Sequence, residues 1–251
     1  MSDLHIVVGG GSGIGRLLVE LMLKHSEAGV LLIDRGTTPA LPTPSDRVRW
    51  LEADVSQEID WKASLPAVCR IKSLCFLVPA CRPRDATVNE LGFTPNFIAN
   101  IGAVNAGLLR LLFAATPYFA DGSTVVLVSS VLGDRVAVAD ATLDYHASKA
   151  VLESIARYMT VRLSPKVMVN CLSPGLIARD ARSALITDTA TADAVGRATP
   201  LGRAYRQEEI AKAIWGLASG SLGRITGQTI AMDGGSSVLE PFSVARRTRQ
   251  D

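Results

Sequence analysis

Leu4-His5-Ile6-Val7-Val8-Gly9-Gly10-Gly11-Ser12-Gly13-Ile14-Gly15 carries a short apolar run straight into a glycine turn. The run has the length and character of a buried strand. Residues 14 to 28 follow with Leu17, Leu18, Leu21, Met22 and Leu23 at helical spacing and no breaker, so a helix is predicted directly behind the glycines. Strand, glycine turn and helix together make an anion-binding arrangement. The glycines let the backbone approach a pyrophosphate, and the first N–H groups of the helix are unpaired and sit at the positive end of its dipole. Gly9, Gly13 and Gly15 fit G-x-x-x-G-x-G, and no frame fits G-x-G-x-x-G. The plainer alternative is a turn that merely joins strand to helix. A second apolar run, Val30-Leu31-Leu32-Ile33, ends in Asp34 about twenty residues on, where a ribose-binding carboxylate belongs. Such a carboxylate favours NAD(H), because it accepts hydrogen bonds from ribose hydroxyls and repels a 2′-phosphate. Arg35 pulls the other way if it pairs with a 2′-phosphate, and does not if it stacks near the adenine or lies in solvent. The expected cofactor is NAD.

Further strands are predicted near 48–52, 73–79, 124–129, 167–172 and 227–232, alternating with helical patterns. That alternation implies right-handed crossovers and an α/β fold of Rossmann-like, doubly wound type: one seven-stranded parallel sheet with helices on both faces. Ligands then bind beyond the carboxyl ends of the strands. Gly13, Asp34, Asp54, Ala80, Ser130 and Pro174 all fall at or just past such ends.

The second informative string is Tyr145-His146-Ala147-Ser148-Lys149, preceded by Ser129-Ser130. Apolar residues Val151, Leu152, Ile155, Met159 and Leu163 predict a helix over 144–163, which puts Tyr145 and Lys149 one turn apart on one face. A phenol ionises near pH ~10, and lowering that to about 7 or 8 requires on the order of 3 to 4 kcal/mol. An ammonium ~4 Å away at an effective dielectric of ~20 supplies about that much. The pair is suited to giving and taking a proton near neutral pH. Alone, Y-x-x-x-K is also an ordinary solvated helix face, so its weight comes from its surroundings.

From Leu4 to about Gly235 the chain resembles the short-chain dehydrogenase/reductase family. The resemblance is carried by the glycine turn, Glu52-Ala53-Asp54-Val55, Asn100-Ile101-Gly102, the run from Val125 to Gly133, Tyr145 and Lys149, the run from Val167 to Gly175, and Asp233-Gly234-Gly235. It implies reversible reduction of a ketone to a secondary alcohol, with Asn100, Ser130, Tyr145 and Lys149 as catalytic residues. It implies a dinucleotide held by Gly9, Gly11, Ser12, Gly13, Ile14, Asp34, Arg35, Asp54, Val55, Ala80, Pro174, Gly175 and Ile177, together with Tyr145 and Lys149. A lid over residues 176–198 and a homotetramer, built through two long helices and the last strand, are expected on the same ground. Several positions depart from the family pattern. Val8 stands where a threonine is usual, Val78-Pro79-Ala80-Cys81 replaces Asn-Asn-Ala-Gly, and Arg179 sits where a threonine follows the Pro-Gly turn. About two extra residues separate Ser130 from Tyr145, which leaves Ser129 as the other candidate serine. A catalytically weak dinucleotide-binding sensor or scaffold is the alternative reading.

Bulk properties suit such an enzyme. At 251 residues the chain is expected to form a single domain, with a tail from 236 to 251. A formal net charge of +2 with scattered basic residues gives no support for nucleic-acid binding. No signal peptide or membrane span is predicted, and the expected location is cytoplasmic. Cys69, Cys75, Cys81 and Cys171 lack metal or disulfide spacing and are read as free thiols, so no metal is expected. His5, His25 and His146 are assigned no chemistry, His146 because it points away from the Tyr145/Lys149 stripe.

Overall fold

Side-chain alternation along β1 (Ser2–Val8) sets the two-sided core. Leu4, Ile6 and Val8 join one cluster of buried side chains, and Val7 between them joins the other. The same alternation runs through β2 (Gly29–Asp34), where Leu31 and Ile33 face one way and Val30 and Leu32 the other. Strands apolar on both faces belong in a parallel sheet covered on both sides. The computed structural model describes residues 2–36, 45–65, 69–78, 92, 94–137, 141–178 and 189–240. It shows the seven-stranded parallel sheet expected from the sequence. The remaining strands are β3 (Val48–Glu52), β4 (Cys69–Phe76), β5 (Phe119–Val128), β6 (Val167–Pro174) and, last in the chain, β9 (Thr229–Met232). Their order is β3-β2-β1-β4-β5-β6-β9, which places the switch of winding direction between β1 and β4.

One face carries α1 (Gly13–His25) and α6 (Gln207–Ala218), which bury Leu18, Val19, Met22, Ile210 and Ile214. The other carries α3 (Phe97–Ala115) and α4 (Leu143–Leu163), which bury Leu108, Leu111, Leu112, Leu152 and Ala156. A short α2 (Trp61–Ser64) is capped by the Asp60 side chain, which accepts from the Ala63 N–H, and it buries Trp61. Outside the main sheet, β7 (Ile177–Ala178) pairs in parallel with β8 (Tyr205–Arg206). The expected lid contributes α5 (Thr189–Ala198), whereas Arg179 and Arg182 lie outside the described residues, as do Ala80, Cys81 and Phe242.

Three expectations shift. β4 begins at Cys69 and ends at Phe76, not at 73–79, because Arg70 and Lys72 interleave with the inward Cys69 and Ile71 and mask the apolar run. The first helix stops at His25, where the Ser26 N–H closes onto the Met22 carbonyl and the chain turns toward β2. Phe97–Tyr118 is long and apolar enough to cross a membrane by length and composition, contrary to the sequence expectation that no stretch is. Here that segment packs Leu108, Leu111 and Leu112 into the core while leaving Ile98 and Phe113 exposed.

Candidate active site

At the carboxyl end of β1 the glycine turn is held by close backbone approach. Gly9 has φ +82°, and a Cβ there would sit 3.1 Å from the Leu77 carbonyl carbon and the Val78 nitrogen. At Gly15 a Cβ would lie 2.4 Å from the Gly9 carbonyl oxygen, so the helix meets the turn with no room for a side chain. Ser12 is the N-cap of α1 and its hydroxyl makes no capping bond, so the first N–H groups of the helix take no side-chain cap from it. Asp34, at the end of β2, accepts the Gly11 N–H at 2.8 Å and the Arg35 N–H at 2.8 Å. Its carboxylate therefore lies against the glycine turn, on the side where a ribose would follow a pyrophosphate. Asp54 accepts both the N–H and the hydroxyl of Ser56, at 2.9 and 2.7 Å. Those bonds, helped by nearby Arg35, hold its carboxyl below the ordinary carboxylate value. Val55 is buried and its carbonyl meets Gly107 of α3, where a Cβ would be 1.8 Å away. A glycine turn this tightly packed, running into a helix N-terminus, fits an anionic dinucleotide.

The proton-handling group lies beyond β5. Tyr145 is 7% and Lys149 4% exposed, on the face of α4 turned toward the sheet. The Lys149 ammonium donates to the Val128 carbonyl at 3.0 Å and stands 5.8 Å from the centre of the Tyr145 ring. Val128 is the last residue of β5, so the strand that presents the two serines also anchors the lysine. Of these serines, Ser129 is buried and donates to the Lys149 carbonyl at 3.3 Å. Ser130 is half-buried and accepts from the Leu132 N–H at 3.3 Å, a bond that leaves its O–H proton available. Glu153, one turn beyond Lys149, is also buried and accepts from the Ser173 hydroxyl at 3.5 Å.

Pro174 ends β6, and the Gly175 N–H donates to the Met232 carbonyl at 2.9 Å. A Cβ on Gly175 would come within 2.9 Å of the Asp233 Cα. Asp233 itself is a knot: its carboxylate accepts from the Gly235 and Ser237 N–H groups, the Ser236 hydroxyl and the Arg135 guanidinium, the last at 3.0 Å. Burial pushes its pKa up, and the bonds from Ser237, Gly235 and Ser236 together outweigh that and hold it below 3.8. Ile177 lies in β7 and packs against the core beneath α1 and α6.

The structure gives Asn100 a different task from the one expected. Its amide donates to Thr94 Oγ1 at 2.8 Å and to Asp144 Oδ2 at 2.9 Å, and Thr94 in turn donates from both its hydroxyl and its N–H to Asp144. This clamp fixes the start of α4. Asn105 is the asparagine that meets the Lys149 turn: it is buried, and its amide donates to the Ile101 carbonyl at 2.8 Å and to the Ser148 hydroxyl at 3.1 Å. Five residues rotate a helix by about 140°, so Asn100 and Asn105 cannot share a face. The signal was present, since Asn105 falls on the apolar stripe of Leu108 and Leu112. Cys69, Cys75 and Cys171 are buried free thiols, and burial pushes Cys75 and Cys171 up to about 12. Among the described residues no three His, Cys, Asp or Glu side chains gather closely enough to hold a metal ion.

A doubly wound sheet with this cradle and a buried Tyr–Lys pair defines a nucleotide-dependent oxidoreductase class. The chain belongs to the short-chain dehydrogenase/reductase family: a family model described as Enoyl-(Acyl carrier protein) reductase matches residues 9–237. Carbonyl reductase family member 4 of Danio rerio is 29% identical over 245 residues, covering 95% of this chain and 100% of that protein. Cis-4-hydroxycyclohexanecarboxylate dehydrogenase of Sinomonas cyclohexanicum is 29% identical over 244 residues, covering 93% and 96%. Among solved structures, a short-chain dehydrogenase/reductase of the glucose/ribitol dehydrogenase type from Brucella melitensis superposes with a TM-score of 0.78 at 27% identity, covering 93% and 96%.

Proposed function

We propose that the protein interconverts a secondary alcohol and a ketone by hydride transfer with NAD(H), with Tyr145 as general acid in reduction and general base in oxidation. The observation that carries this reading is the buried Tyr145/Lys149 pair anchored to Val128 beside Ser130. When bound, the nicotinamide supplies or accepts the hydride. Ser130 donates its O–H to the substrate oxygen, where negative charge develops as the carbonyl is reduced. Tyr145 delivers the proton to that oxygen, and the Lys149 ammonium stabilises the phenolate left behind. Asn105 holds the Ser148 turn and so fixes the direction in which Lys149 points. The cofactor is assigned to Gly9, Gly11, Ser12, Gly13 and Ile14 at the pyrophosphate, to Asp34 at the ribose, and to Pro174 and Gly175 near the nicotinamide. The choice of NAD(H) is supported by the Asp34 carboxylate lying against the glycine turn, with Arg35 exposed beside it.

The reading includes a homotetramer. Ile98 and Phe113 on α3, and Tyr158 and Val161 on the neighbouring α4, are exposed apolar side chains that a second copy would cover. Ile155 and Met159 on the same helix pack on the molecule's own core. NADH consumption against a panel of ketones, alongside fluorescence of bound NADH, tests the whole. Consumption with at least one ketone supports an enzyme, and tight NADH binding without turnover across the panel would favour the sensor reading. A stable monomer by light scattering would remove the assembly.

A further inference from the structure

His146 was assigned no chemistry, yet both of its ring nitrogens are used. Nδ1 lies 2.8 Å from the Thr142 carbonyl, and Nε2 accepts the Ala137 N–H at 3.1 Å. A carbonyl can only accept and a peptide N–H can only donate, so the pair of contacts requires the neutral ring with its proton on Nδ1. The contacts also join two places that matter. Thr142 caps α4, accepting the Tyr145 N–H at the turn that carries Tyr145. Ala137 belongs to the segment that leaves Ser130 through a 3₁₀ turn at Val131–Gly133 and returns to Tyr145, the stretch about two residues longer than the family pattern. The near end of this segment is tied by Arg135 to Asp233 and Ser236. Two residues further on, Ala137 hangs on His146. Between the two ties the segment exposes Val136, and Leu143 stands exposed beside Tyr145.

We infer that His146 is a positioning residue, a latch that hangs the stretch from Ser130 to Ala137 on the first turn of α4 and so sets the substrate-side wall of the active site. This rests on the oxidoreductase reading for its kinetic consequence but not for its structural one. The latch touches neither the glycine cradle nor Lys149, so its loss should reach the alcohol or ketone and spare the cofactor.

His146→Leu removes both bonds at similar bulk, and His146→Gln restores a donor and an acceptor on one planar group. Hydrogen exchange is the arm that needs no substrate. The Ala137 amide should exchange about tenfold faster in His146→Leu, as expected for ~1.4 kcal/mol, and within threefold of the parent in His146→Gln. With a ketone that the parent reduces, His146→Leu should raise KM about tenfold while kcat stays within threefold and the NADH Kd within twofold. His146→Gln should recover most of the KM. Unchanged Ala137 exchange in His146→Leu would overturn the latch. So would a parallel loss of NADH binding and of amide protection across the sheet, since that is general destabilisation. A parent that turns over no ketone would count against the oxidoreductase reading alone, with the exchange arm still deciding the latch.

Discussion

The side of the molecule proposed to hold the cofactor, from β1 to Asp54, and the side proposed to carry the catalysis, from Thr94 to Asp233, are built by different means. On the cofactor side the working parts are main chain: Gly9, Gly11 and Gly15 allow close approach, and Asp34 is fixed by two backbone N–H groups. On the catalytic side they are side chains brought from separate elements, with Lys149 on Val128, Asn105 on Ser148, Asn100 and Thr94 on Asp144, and Arg135 on Asp233. Local backbone geometry follows from a few adjacent residues. A side-chain network depends on where distant elements pack, so one substitution on the catalytic side can remove chemistry and leave the fold standing.

The sharpest division between the two sides is expected from Tyr145→Phe. Loss of the proton-carrying oxygen should lower kcat by roughly 10²–10⁴-fold with NADH affinity within twofold of the parent. Stopped-flow reduction and a fluorescence titration measure the two, and equal losses in both would break the comparison.

Acid should separate the sides by pH. His5 in β1 is buried between Ser73 and Ser26, and burial, with nearby Lys72 adding to it, lowers its pKa from 6.5 to about 4. A folded-state value below the unfolded one means that the stability it protects is intact above pH 6.5 and is lost as the pH falls toward 4. That drop corresponds to about 3 kcal/mol at ~1.36 kcal/mol per pH unit. Asp144 and Asp233, held below 3.8, give way only as the pH falls through still lower values. Urea unfolding at pH 7, 5.5 and 4.5 should therefore show stability already falling across this range. A flat profile there would mean that the buried imidazole takes up its proton in the folded state as readily as in the unfolded one.

Gly15→Ala tests the cofactor side by itself. Its methyl would meet the Gly9 carbonyl oxygen at 2.4 Å, so the turn must move, at roughly 1–3 kcal/mol. NADH affinity should fall at least tenfold while the Thr94–Asp144 clamp survives, and unchanged affinity would show that the turn yields freely.

The smallest effect comes from the two asparagines. Asn105→Ala should cost kcat about tenfold, because the Lys149 turn loses its support. Asn100→Ala should change kcat less than threefold and instead lower the thermal midpoint by loosening Asp144. The reverse ranking would return Asn100 to the catalytic group.

The two-sided parallel sheet and the glycine turn were legible because each is written in contiguous runs: short apolar strands alternating with helical patterns, glycines at one turn, and Asp34 at a strand end; the order of strands within the sheet came from the structure. Tyr145 and Lys149 were legible for the same reason, being one helical turn apart. Asn105 was passed over in favour of Asn100, although helical periodicity places Asn105 on the buried stripe. The ends of β4 were blurred where Arg70 and Lys72 interrupt the apolar period.

By itself the sequence determined the class of fold, the place of the glycine cradle and the facing of Tyr145 toward Lys149, since all three follow from spacings of a few residues. Only the tertiary structure decided which asparagine meets the Ser148 turn, which serine is buried against the Lys149 carbonyl, and that His146 and Arg135 tie down the stretch from Arg135 to Ala137. Those choices depend on how α3 and α4 rotate against the sheet. That rotation is set by the summed packing of Leu108, Leu111, Leu112, Leu152 and Ala156 against the strands, a sum that no single stretch of chain contains.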